Sequence, residues 1–287
     1  MDGTCAMAGG KVRKYLLFCI LPAILAGCAP AYGEAPDGKG PSIVSLNPCS
    51  DAILAEVAAP GQLLAISHYS HDPQSTSMAL AAARRFAATS GTAEEVLALK
   101  PDVVVAGSFL PGATRHAFER LGIRVVTLDV AHDVAESEAQ VRALAALAGR
   151  AEQGEALVAR IEAGLAKARP PRGGAPVDAL LWQQGGIVAG PDSLIADLLA
   201  RTGFASHAAA RGLGQGAYLP LEQVLADPPE VVLAAGGERA LGHPVLKGLK
   251  GMRYERMDPS LLFCGGPTIV PAAERLAQVR AVVGGRK

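Results

Sequence analysis

Aromatic residues are scarce in this chain: Phe, Trp and Tyr make up 4% of its 287 residues, and Trp182 is the only tryptophan. The hydrophobic content, 50% of the chain, is carried mostly by Ala, Leu and Val. That composition suits helices packed on buried strands. Neither sign of charge is in surplus, with 27 Lys and Arg against 27 Asp and Glu. Without a basic excess there is no electrostatic footprint for nucleic acid. After residue 30 no apolar run approaches the roughly 20 residues that span a bilayer. H-E-x-x-H, G-x-S-x-G and the P-loop pattern are all absent, and no nucleophile, base and orienting group stand at suggestive spacing. The reading of an envelope metal-dependent enzyme therefore rests only on scattered His, Cys and Asp, and the expectation is a protein that is not an enzyme.

The N-terminus is patterned differently from the rest. Lys11, Arg13 and Lys14 form a positive region and Tyr15 to Ala26 an apolar one, the layout of a secretory signal. Leu25-Ala26-Gly27-Cys28 resembles the bacterial lipobox, in which the cysteine is lipidated and becomes the mature N-terminus. Cleavage near Ala35, with Cys28 discarded, is the other reading. The expected segments are a leader over 1–27 and a flexible tether over 28–41, rich in Gly, Pro and Ala. The expected location is the periplasm, with the membrane reached only through the lipid. About 245 residues then remain to fold, enough for one large domain or two small lobes.

Cysteine is also sparse. Cys5, Cys19 and Cys28 fall in the leader, leaving Cys49 and Cys264 in the folded part. An oxidising compartment permits a disulfide. The expected order is proximity without a bond first, a disulfide second and a shared metal third, because a bond across two lobes would restrain their opening.

What the chain does have is a repeat. Glu94-Glu95-Val96-Leu97-Ala98-Leu99-Lys100-Pro101-Asp102-Val103-Val104-Val105-Ala106 is echoed by Glu222-Gln223-Val224-Leu225-Ala226-Asp227-Pro228-Pro229-Glu230-Val231-Val232-Leu233-Ala234, at an offset of 128 (222 − 94). Each copy reads as a short helix, a Pro-containing stop and a buried strand. In the first half, strands are expected over 42–46, 63–67, 102–106 and 124–128, with helices over 52–58, 93–99 and 114–121. Ser50 or Asp51 would cap the first helix, and Thr92 with Glu95 forms a capping box for the second. Helices over 133–148 and 151–168 follow, the latter with Leu157, Ile161 and Leu165 on one face. A second series has a strand over 178–182, a helix over 193–202, the second repeat copy and a C-terminal helix over 271–283. Strands alternating with helices imply parallel sheets. The expected fold is α/β, with two Rossmann-like lobes over 42–132 and 176–285 joined by connecting helices over 133–170, including a long rigid backbone helix.

These residues resemble the helical-backbone class of periplasmic substrate-binding proteins, which serve bacterial ABC importers of cobalamin, ferric siderophores, haem and some metal ions. The strongest parts of the resemblance are Ile43 to Pro48, Gly91 to Ala106, Leu219 to Ala235 and Gly266-Pro267 entering a helix. Within the class the chain looks most like the cobalamin-binding branch. The resemblance implies a monomeric receptor without an intrinsic cofactor, whose partners are a permease with its ATPase and a chelate small molecule. Glu94 and Glu222 match the two acidic residues, one per lobe, with which that branch docks onto its permease. A first-turn Glu is also favoured by the helix dipole alone.

Ligands of open α/β sheets sit beyond the carboxyl ends of the strands. The loops there supply the candidate contacts Asn47, Cys49, His68, Tyr69, His71, Trp182, Gln183 and Cys264. Tyr69 matches a ligand-stacking Tyr of the cobalamin branch. The Trp residues of that branch do not recur: Ser90 lies where one is expected, and Gly216 or Tyr218 near the other. The ligand is read as cobalamin or a related corrinoid, or a ferric siderophore. The alternative is a metal-ion or haem receptor in which His68 and His71, with Cys49 and Cys264, ligate directly. Polar ligand contact ranks above metal ligation for the His pair. His116, His132, His207 and His243 read as surface residues.

Overall fold

The computed structural model describes residues 40–237 and 243–284. The leader, Cys28 and nearly all of the tether lie outside the described residues. The first sheet contains β1 (Ile43–Ser45), β2 (Leu63–Ser67), β3 (Ala87–Thr89), β4 (Val103–Gly107) and β5 (Arg124–Leu128). All pair in parallel, in the order β3-β2-β1-β4-β5. The second contains β6 (Val177–Gln183), β7 (Phe204–Ser206), β8 (Val231–Ala235) and β9 (Arg253–Arg256), also parallel, in the order β7-β6-β8-β9. In each sheet the chain builds outward on one side of its first strand and then crosses to the other. The crossing leaves a crevice beyond the carboxyl ends of β1 and β4, and another beyond those of β6 and β8.

The first sheet is dressed by α1 (Pro48–Val57), α2 (Leu80–Ala83), α3 (Ala93–Leu99) and α4 (Gly112–Arg120). The cap of α1 departs from the sequence expectation. Asn47, not Ser50 or Asp51, accepts from the backbone N–H groups of Cys49 and Ser50, and Pro48 opens the helix. Pro at the first helical position has its φ already set and no N–H to leave unpaired, so the helix starts four residues early and draws Asp51 into its buried face. α3 has the expected bounds, and Thr92 accepts from the Glu95 N–H. The Glu95 carboxylate does not close the box; it accepts from Ser90 N and Thr89 Oγ1 instead. These hydrogen bonds hold it below the usual carboxylate range.

Next come α5 (Val134–Leu147) and α6 (Ala151–Ala168), then α7 (Leu194–Arg201), α8 (His207–Ala210), α9 (Leu221–Ala226), α10 (Pro244–Gly248) and α11 (Ile269–Gly284) around the second sheet. The 18 residues of α6 give a rod of about 27 Å. Its buried face runs Gly154, Leu157, Val158, Ile161, Gly164, Leu165 and Ala168, the 3–4 spacing of one helical stripe. Gly164 lets α11 approach: a Cβ there would sit 3.1 Å from Val270. A single core cluster runs from Ile43 and Ile66 of the first sheet through Leu144, Ile161 and Leu276 to Val177, Leu181 and Leu233 of the second. Each sheet has its own smaller core on the opposite face. The two lobes are thus stapled along one side by shared apolar packing, and the crevices stay open on the other.

His207 is not a surface residue. It is 2% exposed, with Nδ1 on Asp178 Oδ2 at 2.6 Å and Nε2 on the Asp227 carbonyl at 3.1 Å. Both ring nitrogens are satisfied, so burial is tolerated. Among the described residues no helix is long and apolar enough to cross a membrane.

Candidate functional site

Loops of both lobes wall one cavity of about 830 Å³. The first lobe supplies Gln74 and Ser75. The second supplies Gln183, Gln184 and Ile187 beyond β6, Gly236 and Gly237 beyond β8, and Leu262 and Phe263 beyond β9. A recess of about 50 Å³ adjoins it, with Phe263 in both walls. Its other walls are Asn47 after β1, Ser108 and Phe109 after β4, and Asp129 and Val130 after β5. Four of the large apolar side chains left exposed, Phe109, Val130, Ile187 and Phe263, line these two spaces, and Tyr69 and Tyr218 are exposed as well. Tyr69, Phe109, Val130, Ile187, Tyr218 and Phe263 are each 40–88% exposed, and five of the six follow the carboxyl end of a strand. Tyr218 joins them by bridging to Ile187. In a chain this poor in aromatics, such a concentration marks a contact surface.

Of the sequence candidates, Asn47 and Cys49 line the recess and Gln183 the large cavity. His68 and Tyr69 sit on a short 3₁₀ turn, His68–His71, with ring centroids 4.1 Å apart, outside the lining of both cavities. His68 Nδ1 meets the Thr89 carbonyl and His71 Nε2 the Ala83 carbonyl, so each ring is braced within the first lobe.

Trp182 is not a cleft residue. It is 1% exposed and donates from Nε1 to the Leu219 carbonyl at 2.9 Å. Strand alternation explains this: Gln183, the next residue, points to the cavity, so Trp182 points into the core. Cys49 and Cys264 are joined in a disulfide spanning 215 residues, which overturns the expected proximity without a bond. Bonded sulfurs are not thiolates and so not metal ligands. Among the described residues no group of three or more His, Cys, Asp or Glu is placed to hold a metal ion, so the combined His and Cys set is not assembled.

The floor under the first crevice is polar. Asp51 is fully buried; its Oδ2 accepts from Ser67 N at 3.0 Å and Ser70 Oγ at 2.6 Å, while Oδ1 has no hydrogen-bond partner. Desolvation pushes its pKa up to about 7, against the pull of the serine hydrogen bonds. Because Ser67 and Ser70 bracket the turn bearing His68 and Tyr69, Asp51 fixes that turn from below. Sequence reasoning missed Phe109, Asp129 and Phe263. Phe109 was open to discovery, since it follows the buried run Val103 to Ala106 directly. Phe263 and Asp129 lie far apart in sequence and meet only in the folded chain.

Glu94 and Glu222 are exposed and occupy the second position of α3 and α9 respectively. Neither belongs to an ion pair among the described residues.

A family model described as periplasmic binding protein matches residues 43–257. A search of curated proteins finds no match. Among solved structures, the chain is similar to the periplasmic heme-binding protein HutB of Vibrio cholerae, at 18% identity and TM-score 0.68 over 83% of this chain and 98% of that one. It is similar to the heme-binding protein RhuT from Roseiflexus sp. RS-1, at 22% identity and TM-score 0.65 over 83% and 98%. It also resembles the vitamin B12 binding protein BtuF of Vibrio cholerae, at 17% identity and TM-score 0.66 over 86% and 99%. Identities this low carry the shared two-lobed fold and nothing finer. With the family match running through both sheets and the helix between them, the chain belongs to the periplasmic binding protein family.

Proposed function

We propose that this protein is the solute receptor of an ABC importer, capturing a metal chelate between its lobes and delivering it to the permease without altering it. The observation that carries this reading is the cavity of about 830 Å³ walled by loops of both sheets and edged by exposed aromatics. Its size lies in the range of small-molecule sites, and a flat macrocyclic or multidentate complex suits an amide-and-aromatic lining. Solved structures of like fold are described as heme-binding or vitamin B12 binding proteins, which supports a corrinoid, haem or a ferric siderophore as the cargo class. Tyr69 and His68, on the turn after β2, serve in this reading as further contacts. Glu94 and Glu222, one at the head of an equivalent helix in each lobe, act as the two docking prongs for basic pockets on the permease. Such pairs give steering and register more than affinity. Lipidation at Cys28 would hold the receptor at the membrane where the permease sits.

The test is a titration of the purified protein with cobalamin, cobinamide, haemin, a panel of ferric siderophores and bare divalent metals, followed by calorimetry and the visible spectrum. One-to-one binding of a chelate supports the receptor reading; binding of bare metal alone, or of nothing, overturns it. Glu94→Arg with Glu222→Arg is expected to abolish uptake in cells while leaving chelate affinity unchanged. An equal loss of affinity would remove the docking role.

A further inference from the structure

The charge of the cleft is lopsided. Among the described residues, none that lines the large cavity is Lys, Arg, Asp or Glu. The adjoining recess has one charged residue, Asp129, which enters no ion pair among the described residues. Beside that carboxylate stand two phenyl rings, Phe109 at 88% and Phe263 at 55% exposure. Burying a phenyl side chain is worth about 1.5–3 kcal/mol, so two rings left open beside one recess call for an occupant. Aromatic faces attract cations through the ring quadrupole, and a carboxylate beside them adds direct charge attraction that the apolar wall strengthens. An anionic group in the same place would meet Asp129 with no described cation to offset it. The remaining polar groups are neutral: Ser108, Asn47, and Gln140, whose Nε2 donates to the Asp129 carbonyl at 2.7 Å. That bond fixes the backbone of residue 129, which lines the recess, and does not engage its carboxylate. At about 50 Å³, the recess holds a compact head group, since one water occupies about 30 Å³ of liquid volume.

We propose that the recess between Phe109 and Phe263 is a subsite for an organic cation, an alkylammonium or similarly compact positive arm, with Asp129 as its counter-charge. Resting on the receptor reading above, this selects a cargo of neutral or positive charge over a carboxylate-rich one. The disulfide is part of the device: Cys264, adjacent to Phe263, is bonded to Cys49 at the start of α1, so the second lobe's ring is anchored to the first lobe's loops.

The test uses n-butylammonium, n-butyrate and neutral n-butanamide as probes, with backbone amide NMR shifts of residues 107–110, 129–131 and 263–265 as the readout. Butylammonium is expected to shift these signals saturably, butyrate to leave them in place, and Asp129→Asn to weaken butylammonium by at least about five-fold, the range of a cation–π and charge contact. Asp129 is exposed, so the variant keeps its fold. Equal shifts from butyrate, no shifts from butylammonium, or an unchanged affinity in Asp129→Asn would each overturn the subsite. Chelate titration reports separately on the receptor reading: a chelate that binds by its carboxylates leaves that reading intact and overturns only this one.

Discussion

The two lobes place their crevices by the same topology and floor them with opposite chemistry. Beneath the first lie Ser45, Ser50, Asp51, Ser67 and Ser70, all 0–3% exposed and linked through the Ser45–Ser50 hydroxyl pair and the Asp51 carboxylate. Beneath the second lie Trp182, Val188 and Leu219, with one polar bond from the indole to the Leu219 carbonyl. The strand order thus decides where a ligand sits, and says nothing of what supports the loops around it. A polar floor responds to protons, whereas an apolar one responds only to shape.

The largest effect should come from removing the link that makes the lobes comparable as one body. Replacing Cys49 and Cys264 by Ser frees a 215-residue loop, and the chain-entropy relation sets the loss at roughly 5 kcal/mol. A shift of the denaturant midpoint matching that produced by reducing the parent protein would confirm it. A variant as stable as the parent would mean that the shared core alone joins the lobes.

Asp51→Asn sharpens the contrast between floors. The folded-state pKa of Asp51 lies above its ordinary value of 3.8, at about 7. Its stabilising share is therefore complete below about pH 4 and lost as pH rises through about 7. The variant does not titrate and keeps an oxygen for Ser67 and Ser70. At pH 8 it should be more stable than the parent by up to roughly 4 kcal/mol, and the two should converge near pH 4. A pH-independent difference would show that Asp51 ionises normally. Trp182→Phe is the counterpart in the second lobe. It strands the Leu219 carbonyl and should cost about 1–3 kcal/mol at every pH between 4 and 8. The smallest effect separates the repeat copies. Thr92→Ala should cost about 1 kcal/mol through the lost cap, measurable by thermal unfolding, whereas α9 has Pro220 before it and no side-chain cap.

Elements with long, strongly patterned sequences were readable in advance. β2, β5, α3 and α6 have the bounds that their apolar spacing and capping residues imply. β3 and β7 were not, because three residues of Ala, Thr, Phe or Ser at a sheet edge leave no alternation to detect. The extra first turn of α1 was hidden for a different reason: Asn47-Pro48 reads as a turn until the Asn side chain is seen to accept two helical N–H groups. At the site, loops after β1, β2 and β6 could be named from strand ends. The loops after β4 and β5 were as open to that logic, and their Phe109 and Asp129 were passed over because a lone Phe or Asp in a loop has no partner pattern. Trp182 misled for the reverse reason: a unique tryptophan near a strand end draws attention, but strand alternation had already turned it inward.

The position of the disulfide also sets a schedule. Cys49 stands at the head of the first helix and Cys264 just before the last, so the earlier thiol waits while 215 residues are made. At ordinary synthesis rates that is roughly 10 to 40 s. The bond can close only once residue 264 has been made, which makes it a late seal on the two lobes and gives chains truncated before Cys264 no means of acquiring it.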